Sequence, residues 1–118
     1  MAMNNYLLAA AIVAGALVSV PASAARVGDA AKGAQVAKTV CAACHGETGS
    51  TNNAQFPKLA GQYADYMRQA LQAYKSGERN NAIMKGIVAN LSAADIENVS
   101  AYYSQQPSDL HVPSVLSK

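Results

Sequence analysis

The sequence predicts a small all-α domain. Apolar residues recur at helical spacing through its middle, cap residues stand where helices should begin and end, and no stretch alternates like a half-buried strand. At 118 residues the chain has the size of one domain.

The first helix is expected from about Asp29 to Ala43, with Gly28 before it and Asp29 as N-cap; it ends in the run Cys41-Ala42-Ala43-Cys44-His45, followed by Gly46. Residues 46–61, rich in Gly, Ser, Thr and Asn and holding Pro57, read as a loop wrapped around something. The second helix has the clearest pattern: Tyr63, Tyr66, Met67, Ala70, Leu71 and Tyr74 make one continuous apolar face, and Gly77 stands where a left-handed C-cap belongs. A polar link over 78–81 then leads into a loop-like approach at Ala82-Ile83-Met84. The third helix starts at the N-cap Ser92. Asp95 stands where Glu or Gln would complete a capping box, so an imperfect box is expected, with Leu91 and Ile96 placed as a hydrophobic staple. Ile96, Val99, Tyr102 and Tyr103 supply its buried face, and Pro107 limits its extension.

Residues 1–24 read as a signal peptide. The uncharged apolar run Leu7–Val20 is followed by Pro21 and the small-residue pattern Ala22-Ser23-Ala24, although no Lys or Arg precedes it. The run is shorter than the roughly 20 residues that span a bilayer. Cleavage after Ala24 and export are therefore expected, leaving a domain over 25–118 with no stable membrane insertion. The net charge of +2 is mild, and Lys and Arg are scattered singly. No basic run interleaved with aromatics suggests nucleic acid.

The two cysteines, Cys41 and Cys44, stand two residues apart with His45 adjoining. A structural zinc site normally wants four Cys or His ligands, and here only these three and the distant His111 are available. A redox dithiol belongs near a βαβ pattern, which is absent, and a disulfide across so short a loop would constrain little. C-x-x-C-H is the attachment signature of c-type haem. For the iron's second axial position the candidates are Met67, Met84 and His111. Met67 lies on the apolar helix face and reads as core, and His111 lies in a polar tail. Met84, after Asn80 and Asn81, is placed where a chain wrapping round haem would return to the opposite iron face, and thioether sulfur suits low-spin iron.

Several segments together carry a family resemblance: Gly28-Asp29 with Lys32-Gly33, the run from Cys41 to Gly46, Phe56 to Gln62, Tyr74 to Asn80, Met84, and Leu91 to Ile96. Along nearly all of residues 25–118 the chain resembles class I c-type cytochromes, particularly short bacterial monohaem ones and single domains of periplasmic dihaem ones. The resemblance implies a small cytochrome c fold, three main helices wrapped around one covalent haem c. It implies thioether bonds at Cys41 and Cys44, His45 as proximal ligand, Met84 as distal ligand, and a Pro57 carbonyl accepting a hydrogen bond from His45. It further implies that the first and last helices cross at Gly33 against Tyr102 or Tyr103, although Ala37 stands where many relatives have an aromatic. Tyr63 and Arg79 are candidates for contacting haem propionates.

An iron with both axial positions filled by protein suits electron transfer rather than catalysis. The expectation is a periplasmic electron carrier and not an enzyme, docking transiently on other redox proteins such as respiratory complexes, oxidases or dehydrogenases. The alternative is a haem subunit of a multi-component dehydrogenase or sulfur-oxidising enzyme.

Overall fold

The computed structural model describes residues 28–108. The expected leader and His111 lie outside the described residues. Within them α1 (Ala30–Val36) passes through a π-helical turn (Ala37–Cys41) into α2 (Ala42–His45), followed by α3 (Ala64–Ser76), α4 (Ala82–Val88) and α5 (Ala93–Ser104). No strand occurs among the described residues.

Asp29 caps α1 as its residue type requires: its carboxylate accepts from the Ala31 and Lys32 N–H groups at 2.9 and 3.1 Å. The helix was expected to run straight into the cysteine pair, but it widens first. The Ala42 N–H reaches back five residues to the Ala37 carbonyl. Here the Thr39 hydroxyl donates to Gln35 O at 2.9 Å and Val36 O at 3.3 Å, competing with the backbone ladder. Such π-turns commonly occur at functional sites.

α1 and α5 cross with almost no space between their backbones. A Cβ on Gly33 would lie 2.0 Å from the Asn98 carbonyl oxygen and 2.8 Å from Tyr102 Cβ, and one on Gly28 would lie 2.0 Å from the Glu97 carbonyl oxygen. The crossing expected at Gly33 is therefore present, and Gly28 shares it. The Ala37 position is filled from the other helix, because Tyr103 packs with Ala37, Met67 and Val99 in one core cluster. A second cluster of Val88, Leu91 and Ile96 takes in the staple pair Leu91 and Ile96 and is flanked by Leu71, Tyr74 and Met84.

Two sequence expectations need correction. The box at Ser92 is complete: the Asp95 N–H donates to Ser92 Oγ at 3.0 Å and the Ser92 N–H to Asp95 Oδ2 at 2.9 Å. The shorter Asp side chain reaches the cap backbone just as Glu would. Met84 lies in a short helix rather than a loop. Asn81 starts that helix by accepting the Met84 N–H on Oδ1 at 3.0 Å.

α3 ends as expected, with Gly77 left-handed at φ +89° and its N–H on Ala73 O at 3.0 Å. Its apolar face is not buried throughout. Met67 is buried, whereas Tyr63 and Tyr66 are 64% and 49% exposed. The partly buried ion pair Arg68–Glu97, 3.2 Å, links α3 to α5.

Candidate functional site

Cys41, Cys44 and His45 stand at i, i+3 and i+4, so helical backbone through His45 puts all three on one face. That face lines a cavity of about 310 Å³. Leu59 from the loop, Leu71 from α3, Met84 and Val88 from α4, and Val99 from α5 continue its apolar wall.

The buried His45 ring is held from two sides. Its Nδ1 lies 2.9 Å from the Pro57 carbonyl oxygen, and Phe56 meets it edge-on at 6.0 Å between centroids. A carbonyl only accepts, so Nδ1 carries the proton and Nε2 keeps a free lone pair for a metal. Phe56 stood in the matched sequence, but its ring contact needed the fold to show it.

Met84 reaches the cavity on a segment tied at both ends. Asn81 caps its start, and beyond its end Lys75 Nζ donates to the Leu91 carbonyl. A lone lysine on α3 gave no sequence signal of that role. Pro57 and Arg79 also line the cavity, with the Arg79 guanidinium 4.8 Å from the centroid of the Tyr74 ring. Tyr63 does not line the cavity; it lines an open cleft along α3 with Asp65, Tyr66 and Arg68, and Tyr66 lines both. Met67 lines the cavity as well but is buried within the core cluster.

Burial pushes the Cys41 thiol up to about 11, partly offset by the nearby Tyr103 hydroxyl. Burial, with Cys41 beside it, pushes Tyr103 up as well. A redox dithiol needs a lowered thiol pKa, so Cys41 is poorly suited to that chemistry. Among the described residues no three His, Cys, Asp or Glu side chains converge as a metal cluster. Two thiols, one imidazole with a free nitrogen and one thioether in an apolar cavity instead fit a flat macrocycle carrying its own metal. Among the described residues no helix is long and apolar enough to cross a membrane.

The family model described as "Cytochrome c" matches residues 30–106. A cytochrome c4 of Pseudomonas aeruginosa is 42% identical over 79 residues, covering 67% of this chain and 39% of that protein. Cytochrome c-554(548) of Halomonas halodenitrificans is 42% identical over 82 residues, covering 67% of this chain and 98% of that protein. A thiosulfate dehydrogenase electron acceptor of Thiomonas intermedia is 41% identical over 75 residues, covering 62% and 35%. The solved cytochrome c4 of Acidithiobacillus ferrooxidans superposes with a TM-score of 0.63 at 31% identity, over 70% of this chain and 52% of that one. The chain thus spans about two fifths of the first of these relatives and about half of the solved one. The matched segment holds the whole cavity wall from Val40 to Tyr103. The chain belongs to the cytochrome c family, whose prosthetic group is covalently attached haem c, and one such group fits the matched domain over residues 30–106.

Proposed function

We propose that this chain is an exported, periplasmic monohaem carrier that passes one electron at a time between redox proteins. His45, through Nε2, and Met84, through Sδ, would hold its iron. Bound haem supplies an iron that cycles between Fe(III) and Fe(II) with little rearrangement. The observation that carries the reading is the hydrogen bond from His45 Nδ1 to the Pro57 carbonyl, 2.9 Å, with Met84 lining the same cavity.

Each residue has a distinct task. Cys41 and Cys44 anchor the group by thioether bonds, and Pro57 fixes the tautomer and orientation of His45. Met84, lining the same cavity, would give the iron its second protein ligand and would so keep substrate and water from the metal. Arg79, whose guanidinium lies over the Tyr74 ring and which lines the cavity, would meet a propionate. The leader over 1–24 routes the chain across the membrane, where cleavage after Ala24 frees it.

The absorption spectrum tests this reading. The oxidised protein should show the far-red sulfur-to-iron charge-transfer band, and the reduced protein should not respond to carbon monoxide. Met84→Ala should abolish the band, admit carbon monoxide and lower the reduction potential. A bis-histidine or high-spin spectrum in the parent protein would sink the ligand pair.

The similarity to a thiosulfate dehydrogenase electron acceptor favours one second reading, that the donor is a sulfur-oxidising dehydrogenase. Co-purification with such an enzyme, or rapid reduction by it in the presence of thiosulfate, separates a dedicated acceptor from a general carrier.

A further inference from the structure

The interior face of α5 carries Ile96, Val99, Ser100 and Tyr103 at i, i+3, i+4 and i+7. The other three belong to the core clusters, and Ser100 belongs to neither. Ser100 is 1% exposed and lines the same cavity as His45 and Met84. Its Oγ has no hydrogen-bond partner among the described residues.

Two other polar groups of the cavity wall have protein partners. His45 Nδ1 has the Pro57 carbonyl, and the Tyr103 hydroxyl has the Gly46 carbonyl. Other helical hydroxyls among the described residues turn back onto their own helix: Thr39 donates to Gln35 O and Ser104 to Ala101 O, both at 2.9 Å. Ser100 makes no such bond. An unpaired hydroxyl in a buried wall is costly, and alanine would avoid the cost at the same place. A partner or a field inside the cavity removes that penalty.

We propose that Ser100 is a potential-setting residue of the haem site, its hydroxyl dipole favouring the oxidised form. The haem core is neutral when reduced and carries one positive charge when oxidised. A hydroxyl with no fixed partner is free to turn its proton away from that charge and leave the lone pairs of its oxygen toward it. In a low-dielectric wall the gain is larger than in water. The stronger field belongs to the oxidised state, so a free rotor stabilises that state more. The inference rests on the cavity being the haem pocket and not on which residue supplies the second axial ligand.

Ser100→Val and Ser100→Thr test it in the holoprotein, since the two side chains share a shape and differ in the hydroxyl. Midpoint potentials come from spectroelectrochemistry, and guanidinium unfolding is followed in both oxidation states. Ser100→Thr should keep the parent potential. Ser100→Val should raise it, lowering the oxidised-to-reduced ratio at fixed ambient potential by about threefold to tenfold, the range set by the net contribution of one hydrogen bond. The ferric form of Ser100→Val should also lose stability relative to its ferrous form. Equal potentials in the Val and Thr variants, or a lower one in Val, would overturn the proposal. So would an equal gain in stability of both oxidation states in Ser100→Val, which would mark the hydroxyl as a plain buried penalty. The far-red band of the parent reports separately on Met84. Its absence would remove the His45/Met84 pair and leave the Val–Thr comparison intact.

Discussion

The Tyr103 hydroxyl donates to the carbonyl oxygen of Gly46 at 3.2 Å, tying the last helix to the residue that follows His45. Tyr102 beside it donates to the Glu47 carbonyl at 3.1 Å, so two adjacent side chains of α5 hold two consecutive carbonyls after the cysteine motif. Gly46 O also accepts the Gly49 N–H at 3.0 Å and is not orphaned when the phenol is removed. Tyr103→Phe should therefore cost only about 0.5–1.5 kcal/mol. Tyr103→Ala, which empties the core beside Ala37, Met67 and Val99, should cost about 3–5 kcal/mol by the range for large aromatic truncations. Guanidinium unfolding of the two variants checks the ratio.

Two glycine-to-alanine changes should have opposite signs. At Gly33 the new Cβ would sit 2.0 Å from backbone at Asn98, so the crossing must open, at a cost of about 1–3 kcal/mol or more. At Gly86, inside α4, the new Cβ meets nothing within 4 Å. Helix propensity then dominates, and Gly86→Ala should stabilise by about 0.5–1 kcal/mol. Thermal melting of both variants measures the contrast.

Asn81→Ala removes the side-chain cap of the helix that carries Met84, with an expected loss of about 1 kcal/mol. The loss is local, so on the proposed ligation the far-red band should vanish at a lower denaturant concentration than the far-ultraviolet helix signal. Asn81→Asp, which keeps the acceptor, should restore the parent behaviour. Simultaneous loss of both signals in Asn81→Ala would show that α4 does not open on its own.

Acid stability follows from two exposed caps. Hydrogen bonds from the Ser92 hydroxyl and backbone hold the Asp95 carboxyl below its ordinary 3.8, and the Lys32 backbone N–H does the same for Asp29. A folded pKa below the unfolded value means that the contribution is full above the ordinary value and is lost as pH falls through the folded one. The urea midpoint should therefore drop as pH falls below about 4. Asp29→Asn with Asp95→Asn should flatten that limb, because Asn keeps an acceptor at each cap but does not titrate. An unchanged slope in the double variant would exclude both groups.

Local patterns made much of the architecture legible. Asp29, Ser92 and Gly77 act as caps because cap chemistry needs only neighbouring backbone. The second helix was readable from its period, yet its burial was not. Tyr63 and Tyr66 fit the apolar stripe but stay exposed, since periodicity gives a face and not what covers it. Met84 was picked out by chemistry while its helix went unseen, because seven residues hold too few turns to display a period. Arg79 was expected at the site and lines the cavity, whereas Tyr63, equally plausible as a polar aromatic, lines a different cleft.

By itself the sequence determined the helical class, the family resemblance and the attachment chemistry, because C-x-x-C-H compresses two thiols and an imidazole into one helical turn. Only the tertiary structure decided what surrounds them. The Pro57 carbonyl on His45, the backbone-to-backbone crossing at Gly33 and the tyrosine pair on Gly46 and Glu47 join residues 12 to 65 positions apart. The orphan hydroxyl of Ser100 has the same origin. A serine reads as polar in any sequence, and only packing could bury it without a partner against the cavity.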